Sequence, residues 1–127
     1  MNPLAFLVIG LGAALGAWLR WGLGLLLNPV LVSLPLGTLA ANLIGGYLVG
    51  VAVTMFHLHA DGPVELKLFV ITGFLGGLTT FSTFSAEVIA LIQRSEYAWA
   101  AGAAMLHLGG SLLLTGLGIY TVLQISR

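Results

Sequence analysis

Cysteine is absent from the chain, which excludes disulfides, thiolate nucleophiles and thiolate metal ligands together. Charge is nearly absent too: only 6% of residues are Asp, Glu, Lys or Arg, where a soluble domain carries about 25%. The formal net charge is zero, and no basic cluster exists to bind nucleic acid or another polyanion. What fills the 127 residues is apolar. Hydrophobic side chains make up 59% of the sequence and the mean hydropathy is +1.10, values that fit an integral membrane protein. A cleaved signal peptide is a poor reading of the N-terminus. No basic residue precedes Leu4, and the apolar run continues past Arg20 to Leu27.

A helix needs about 20 mainly apolar residues to cross a hydrocarbon core roughly 30 Å thick. Four such stretches are present, at about 3–27, 36–56, 68–93 and 97–126. Asn28-Pro29 and Ser33-Leu34-Pro35 divide the first two, since no charge lies between Trp21 and Ala60. The polar stretch from His57 to Lys67 separates the second from the third, and Arg94-Ser95-Glu96 separates the third from the fourth. Every connection is short, so the expected fold is an all-α membrane protein with one four-helix domain spanning 1–127.

Regular helix is expected to fail in the third span. Between Gly73 and Ser85 the sequence gathers glycine, hydroxyl residues and phenylalanine: Gly76-Gly77-Leu78-Thr79-Thr80-Phe81-Ser82-Thr83-Phe84. Glycine costs a helix interior about 1 kcal/mol relative to alanine, and Ser or Thr can bond locally to backbone. The predicted break lies at Gly76 to Thr79, with the Gly76-Gly77 pair as its weakest point. Irregular backbone at membrane depth is tolerated only where it is buried in protein or lines a wet cavity, so the break marks a functional centre.

Other polar residues within the spans are few. Glu87 is the only acidic one, and Thr79, Thr83 and Glu87 follow at i, i+4 and i+8, the spacing of one helix face. Such a residue faces a cavity or a partner, or else reaches for the interface from the helix end. Phe81 and Phe84 alternate with Ser82 and Thr83. Ring edges carry positive quadrupole potential, so with hydroxyl donors they suit a small anion, although packing is the commoner use of such a pair. Asn42 is either interhelical glue or a donor to a passing anion, and Ser111 and Thr115 offer hydroxyls in the fourth span or bond back to their own helix. Arg20 reads as a structural helix-end residue. Gly12 with Gly16, and Gly46 with Gly50, have the G-x-x-x-G spacing of close helix packing. His57, His59 and His107 form no metal cluster by spacing, and no hydrolase arrangement is visible, so an enzyme is not expected.

These motifs resemble the Fluc (CrcB) family of fluoride ion channels. The resemblance rests on the run from Gly76 to Phe84, on Gly12 to Gly16 with Arg20, and on Pro35-Leu36-Gly37-Thr38-Leu39 leading to Asn42 and Gly45. It implies an antiparallel dual-topology homodimer in the cell's inner (plasma) membrane, conducting fluoride passively out of the cytoplasm, with resistance to fluoride as the outcome. It further implies Phe81 and Phe84 as pore ring edges, Asn42 as a vestibule amide, and Ser82, Thr83, Glu87 and Ser111 as weaker polar lining. A structural sodium ion would be held by the backbone carbonyls of Gly76 and Thr79 from both subunits. The rival readings are a small multidrug-type proton-coupled efflux transporter, which needs a first-span glutamate that is missing here, and a non-transporting scaffold subunit.

Basic residues divide evenly, Lys67 and Arg127 on one side, Arg94 and Arg20 toward the other, which removes the usual bias of orientation. A reporter fused after Arg127 is therefore expected to be active on both sides of the membrane; activity on one side alone contradicts dual insertion.

Overall fold

The computed structural model describes residues 2–127, which are helical apart from short connections. Helix α1 runs over Pro3–Leu27 and passes into a 3-10 turn at Asn28–Val30. Helix α2 covers Leu36–Leu58. Helix α3 covers 64–78 and contains a π-helical segment, Leu68–Leu75. Helices α4, Phe81–Gln93, and α5, Tyr97–Ile125, complete the chain. Among the described residues, four helical segments are long and apolar enough to cross a membrane: Pro3–Val30, Leu36–Leu58, Val64–Gln93 and Tyr97–Ile125.

In the third span two boundaries differ from the sequence expectation, each for a local reason. The third span begins at Val64 instead of residue 68, so the end of the polar stretch is helical. Pro63 stands just before the helix with extended ψ of 134°, and Glu65 lies in the first turn, where a negative charge suits the helix dipole. Within that span Gly76, Gly77 and Leu78 are still helical, and the extended residues are Thr79 (ψ 151°) and Thr80 (ψ 119°). Threonine, not glycine, carries the irregular backbone.

Asn28 organises the start of α2. Pro35 at the cap position has no side-chain donor or acceptor, and Asn28 Oδ1 instead accepts the N–H groups of Gly37 at 2.7 Å and Thr38 at 3.2 Å. At the other connection Ser95 adopts left-handed φ of 60°, and the N–H groups of Ser95 and Glu96 return to the Ile92 and Leu91 carbonyls at 2.9 Å each. That is the 5→2 and 6→1 pairing that closes a helix end.

Packing follows two glycine seams. Gly12 and Gly16 on α1 are buried against α3: a Cβ at Gly16 would overlap the Phe74 carbonyl oxygen and lie 2.7 Å from the Leu78 nitrogen. Gly46 and Gly50 on α2 are buried against α5, where a Cβ at Gly50 would overlap the Thr115 carbonyl oxygen. Helices α2 and α5 pack along most of their length. The Thr115 hydroxyl donates across this seam to the Gly46 carbonyl at 2.8 Å, not back into its own helix. Small residues thus bring backbones together where lipid offers no hydrophobic drive.

Because the obstacles at Gly16 are backbone atoms, no side chain can yield to an added methyl. Gly16→Ala is expected to lower unfolding stability in detergent by about 1–3 kcal/mol. Gly10→Ala, with nothing within 4 Å of its Cβ, is expected to be neutral or slightly stabilising. Equal losses at both positions contradict backbone contact as the cause.

Candidate functional site

The interruption at Thr79–Thr80 frees backbone groups that a continuous helix would pair internally. The Thr80 N–H, which would otherwise return to Gly76, donates to Asn42 Oδ1 at 2.7 Å. The Thr80 carbonyl accepts from Asn42 Nδ2 at 3.0 Å, so one side-chain amide satisfies both polar groups of this residue. The Thr83 N–H, which would otherwise return to Thr79, donates to Thr80 Oγ1 at 3.1 Å and starts α4. Arg20 Nε donates to the Gly77 carbonyl at 3.1 Å. The guanidinium therefore sits at the negative end of α3 rather than at a membrane interface.

That placement corrects the charge count. Arg20 reaches Gly77 near the centre of the Val64–Gln93 span, so it does not belong with the loop charges. Lys67 and Arg127 then stand against Arg94 alone, whose Nε donates to Glu96 Oε2 at 2.8 Å. The remaining bias is one charge.

Beside the break lies an open cleft of about 270 Å³. Asn42, Thr79, Phe81, Phe84, His107 and Ser111 are among its walls. Phe81 and Phe84 meet edge to face, with centroids 5.5 Å apart and planes at 61°. Phe84 also stacks on the His107 ring at 4.6 Å. The outer wall is open: Phe81 is 70% exposed.

The expected polar track divides. The extended residues break helical phase, so Thr79 is not in line with Thr83 and Glu87. The Thr79 hydroxyl donates to its own helix at the Leu75 carbonyl, 2.9 Å away, and its side chain lies close to Gly45. Thr83 borders a different cavity with Arg20 and Thr38. Glu87 Oε2 accepts the Thr38 hydroxyl at 2.7 Å, which ties α4 to the start of α2. Ser82 is exposed, with its hydroxyl 3.4 Å from Thr80 Oγ1. Asn42, Phe81, Phe84 and Ser111 are thus brought together, whereas Thr83 and Glu87 face elsewhere.

His107 is the member that spacing could not find. It is buried, 4% exposed, and its Nδ1 lies 2.9 Å from Asn42 Nδ2. Alone in its span, it is joined to Asn42 and Phe84 only by the packing of α2, α4 and α5.

The fold and this site define a multi-pass helical membrane protein with a polar break and an aromatic cleft at mid-span. Residues 7–119 match the family model described as CrcB-like protein, Camphor Resistance (CrcB), and the chain belongs to that family. Similar proteins carry the name fluoride-specific ion channel FluC. That of Dechloromonas aromatica is 65% identical over 122 residues, covering 96% of this chain and 90% of the relative. Those of Cupriavidus taiwanensis and Nitrosospira multiformis are each 60% identical, over 95% and 96% of this chain and 96% and 95% of the relatives.

The break depends on one amide. Asn42→Ala leaves the Thr80 N–H and carbonyl without their partner and is expected to cost about 1–3 kcal/mol for each group left unpaired. Unfolding in detergent, followed by circular dichroism, measures the loss; a stability equal to that of the unaltered protein contradicts the role.

Proposed function

We propose that this chain is a fluoride channel that lets the ion leave the cytoplasm passively across the inner membrane. The observation that carries the reading is the cleft itself, in a chain 65% identical to a protein named for fluoride-specific conduction. It joins two phenylalanine rings, the Ser111 side chain and the first turn of α4. A helix N-terminus favours negative charge, and ring edges and hydroxyl hydrogens present positive potential without a full positive charge. Fluoride must exchange its water shell for such donors. Neutral donors let it bind and also leave, as conduction requires.

The chain acts as an antiparallel dual-topology homodimer. The exposed Phe81 and the open outer wall support a second copy completing the path. The small residual charge bias is compatible with insertion both ways. Phe81 and Phe84 supply ring edges along the route and Asn42 and Ser111 border it; Ser82 is exposed beside it, and the separate cavity of Thr83, Arg20 and Thr38, with Glu87 bonded to Thr38, would continue the polar lining toward one end.

A sodium ion on the dimer axis fits the donors available. The N–H groups that would pair with the Gly76 and Thr79 carbonyls in continuous helix are diverted to Asn42 and Thr80 Oγ1, and Gly76 lies on the exposed surface. Hard cations take several oxygen ligands, so two carbonyls from each copy suit one shared ion. Bound there, sodium would hold the two breaks together and offset the partial negative charge at the ends of both α3 helices.

Proteoliposomes loaded with fluoride and read with a fluoride electrode test the function. The reconstituted protein is expected to release fluoride well above the rate of protein-free vesicles. Phe81→Ile is expected to abolish or severely reduce the flux while the dimer stays assembled, because an aliphatic side chain has no ring edge of positive potential. Release no faster than from empty vesicles rejects the channel, and undiminished flux in Phe81→Ile rejects the ring-edge role.

A further inference from the structure

We propose that the groove between α2 and α3 holds one acyl chain of a phosphatidylethanolamine molecule, whose headgroup occupies the polar cavity at the Lys67 end of that groove.

The groove has the length of one leaflet. It encloses about 500 Å³, and its walls include Val51 and Met55 of α2 and Leu66, Val70 and Phe74 of α3. From Leu48 at its inner end to His59 at its outer end, α2 and its cap rise about 16 Å, close to half of a hydrocarbon core roughly 30 Å thick. Apart from His59, every lining side chain is apolar. Water finds no partners there, whereas a chain of methylenes does.

The outer end has a different chemistry. Phe56 and His59 also border a second cavity of about 280 Å³, together with His57, Gly62 and Lys67. Apolar groove and polar cavity are therefore continuous, in the order in which a lipid presents tail and headgroup. His59 Nδ1 donates to the Met55 carbonyl at 3.0 Å, which fixes the ring at the junction. Lys67 is exposed and, among the described residues, has no ion-pair partner, so its ammonium is free to meet a phosphate. Across residues 57–67 the formal charges are Lys67 against Asp61 and Glu65. One cation beside two carboxylates does not attract an anionic lipid; a headgroup that carries both phosphate and ammonium matches it.

A second copy of the chain has a different place to dock. Thr72 and Gly76 are exposed and stand two residues from Val70 and Phe74, on the other side of α3. The partner contact proposed above runs through Gly76 and Phe81, which leaves the groove open to lipid.

Native mass spectrometry of the purified protein, titrated with phosphatidylethanolamine in mild detergent, tests the site. One lipid is expected to bind per chain, about tenfold more tightly than phosphatidylglycerol. Lys67→Gln is expected to weaken binding about tenfold, as for loss of a hydrogen bond to a charged group, and Val70→Trp, which fills the groove, to abolish it while the oligomer persists. Unchanged binding in Val70→Trp overturns the acyl site, and equal affinity for phosphatidylglycerol overturns the headgroup assignment. Dissociation of the oligomer by Val70→Trp assigns the groove to a second copy and overturns the proposal too.

Photo-crosslinking keeps the test independent of how Val70→Trp folds. The natural chain is made with photo-methionine, stripped of bulk lipid and supplied with one phosphatidylethanolamine per chain. Irradiation is expected to attach lipid at Met55, inside the groove, and not at Met105, which is 74% exposed elsewhere on the surface. Equal labelling of the two, or attachment of Met55 to another copy of the chain, overturns the proposal.

Discussion

Backbone polar groups at membrane depth have no water to fall back on, and the structure around Thr79–Thr80 answers that constraint. A continuous helix would meet it without help. Here helical pairing is interrupted and side chains take over: Asn42 from α2 serves both groups of Thr80, Arg20 from α1 serves the Gly77 carbonyl, and Thr80's own Oγ1 opens α4. Asn42 and Arg20 each fix the distance between helices as well as satisfying a bond. The interruption therefore sets the positions of α1, α2 and α4 together.

Close backbone approach makes those reaches possible. Arg20 and Gly16 belong to one helix, four residues apart, and Gly16 brings α1 against Phe74 and Leu78 just before the break. On the far side Gly46 and Gly50 bring α5 against α2, four or more residues beyond Asn42, so that His107 meets Asn42 across the same seam. Packing by small residues and pairing by polar residues act as one arrangement. Without the first, the second would not reach.

The cleft that results contains more donors than the chain consumes. Asn42 commits its amide to Thr80 and His107, which makes it an orienting group before it is anything else. Ser111 and His107 border the cleft, beside the rings of Phe81 and Phe84. Fluoride, small and strongly hydrated, is the kind of ion for which neutral donors in a dry setting can replace water.

Four apolar stretches, their punctuation by Asn28-Pro29, Pro35 and Arg94-Ser95-Glu96, and the polar run beginning at Gly76 were all legible in the amino-acid order. Hydropathy and turn chemistry act locally, and the family resemblance rests on contiguous motifs. The placement of the irregular backbone on Thr79 and Thr80 was not legible, because propensity alone favours failure at Gly76-Gly77, while Asn42 rewards extended geometry two residues further on. The same limit applies to Arg20, which reads as a helix-end residue yet bonds to Gly77 at mid-span, and to Thr83 and Glu87, whose link to Thr79 by spacing assumes an unbroken helix. His107 gave no signal at all in its own span. Its partners lie 65 residues away in sequence, as for Asn42, or in another helix, as for Phe84, and only tertiary packing brings them to it.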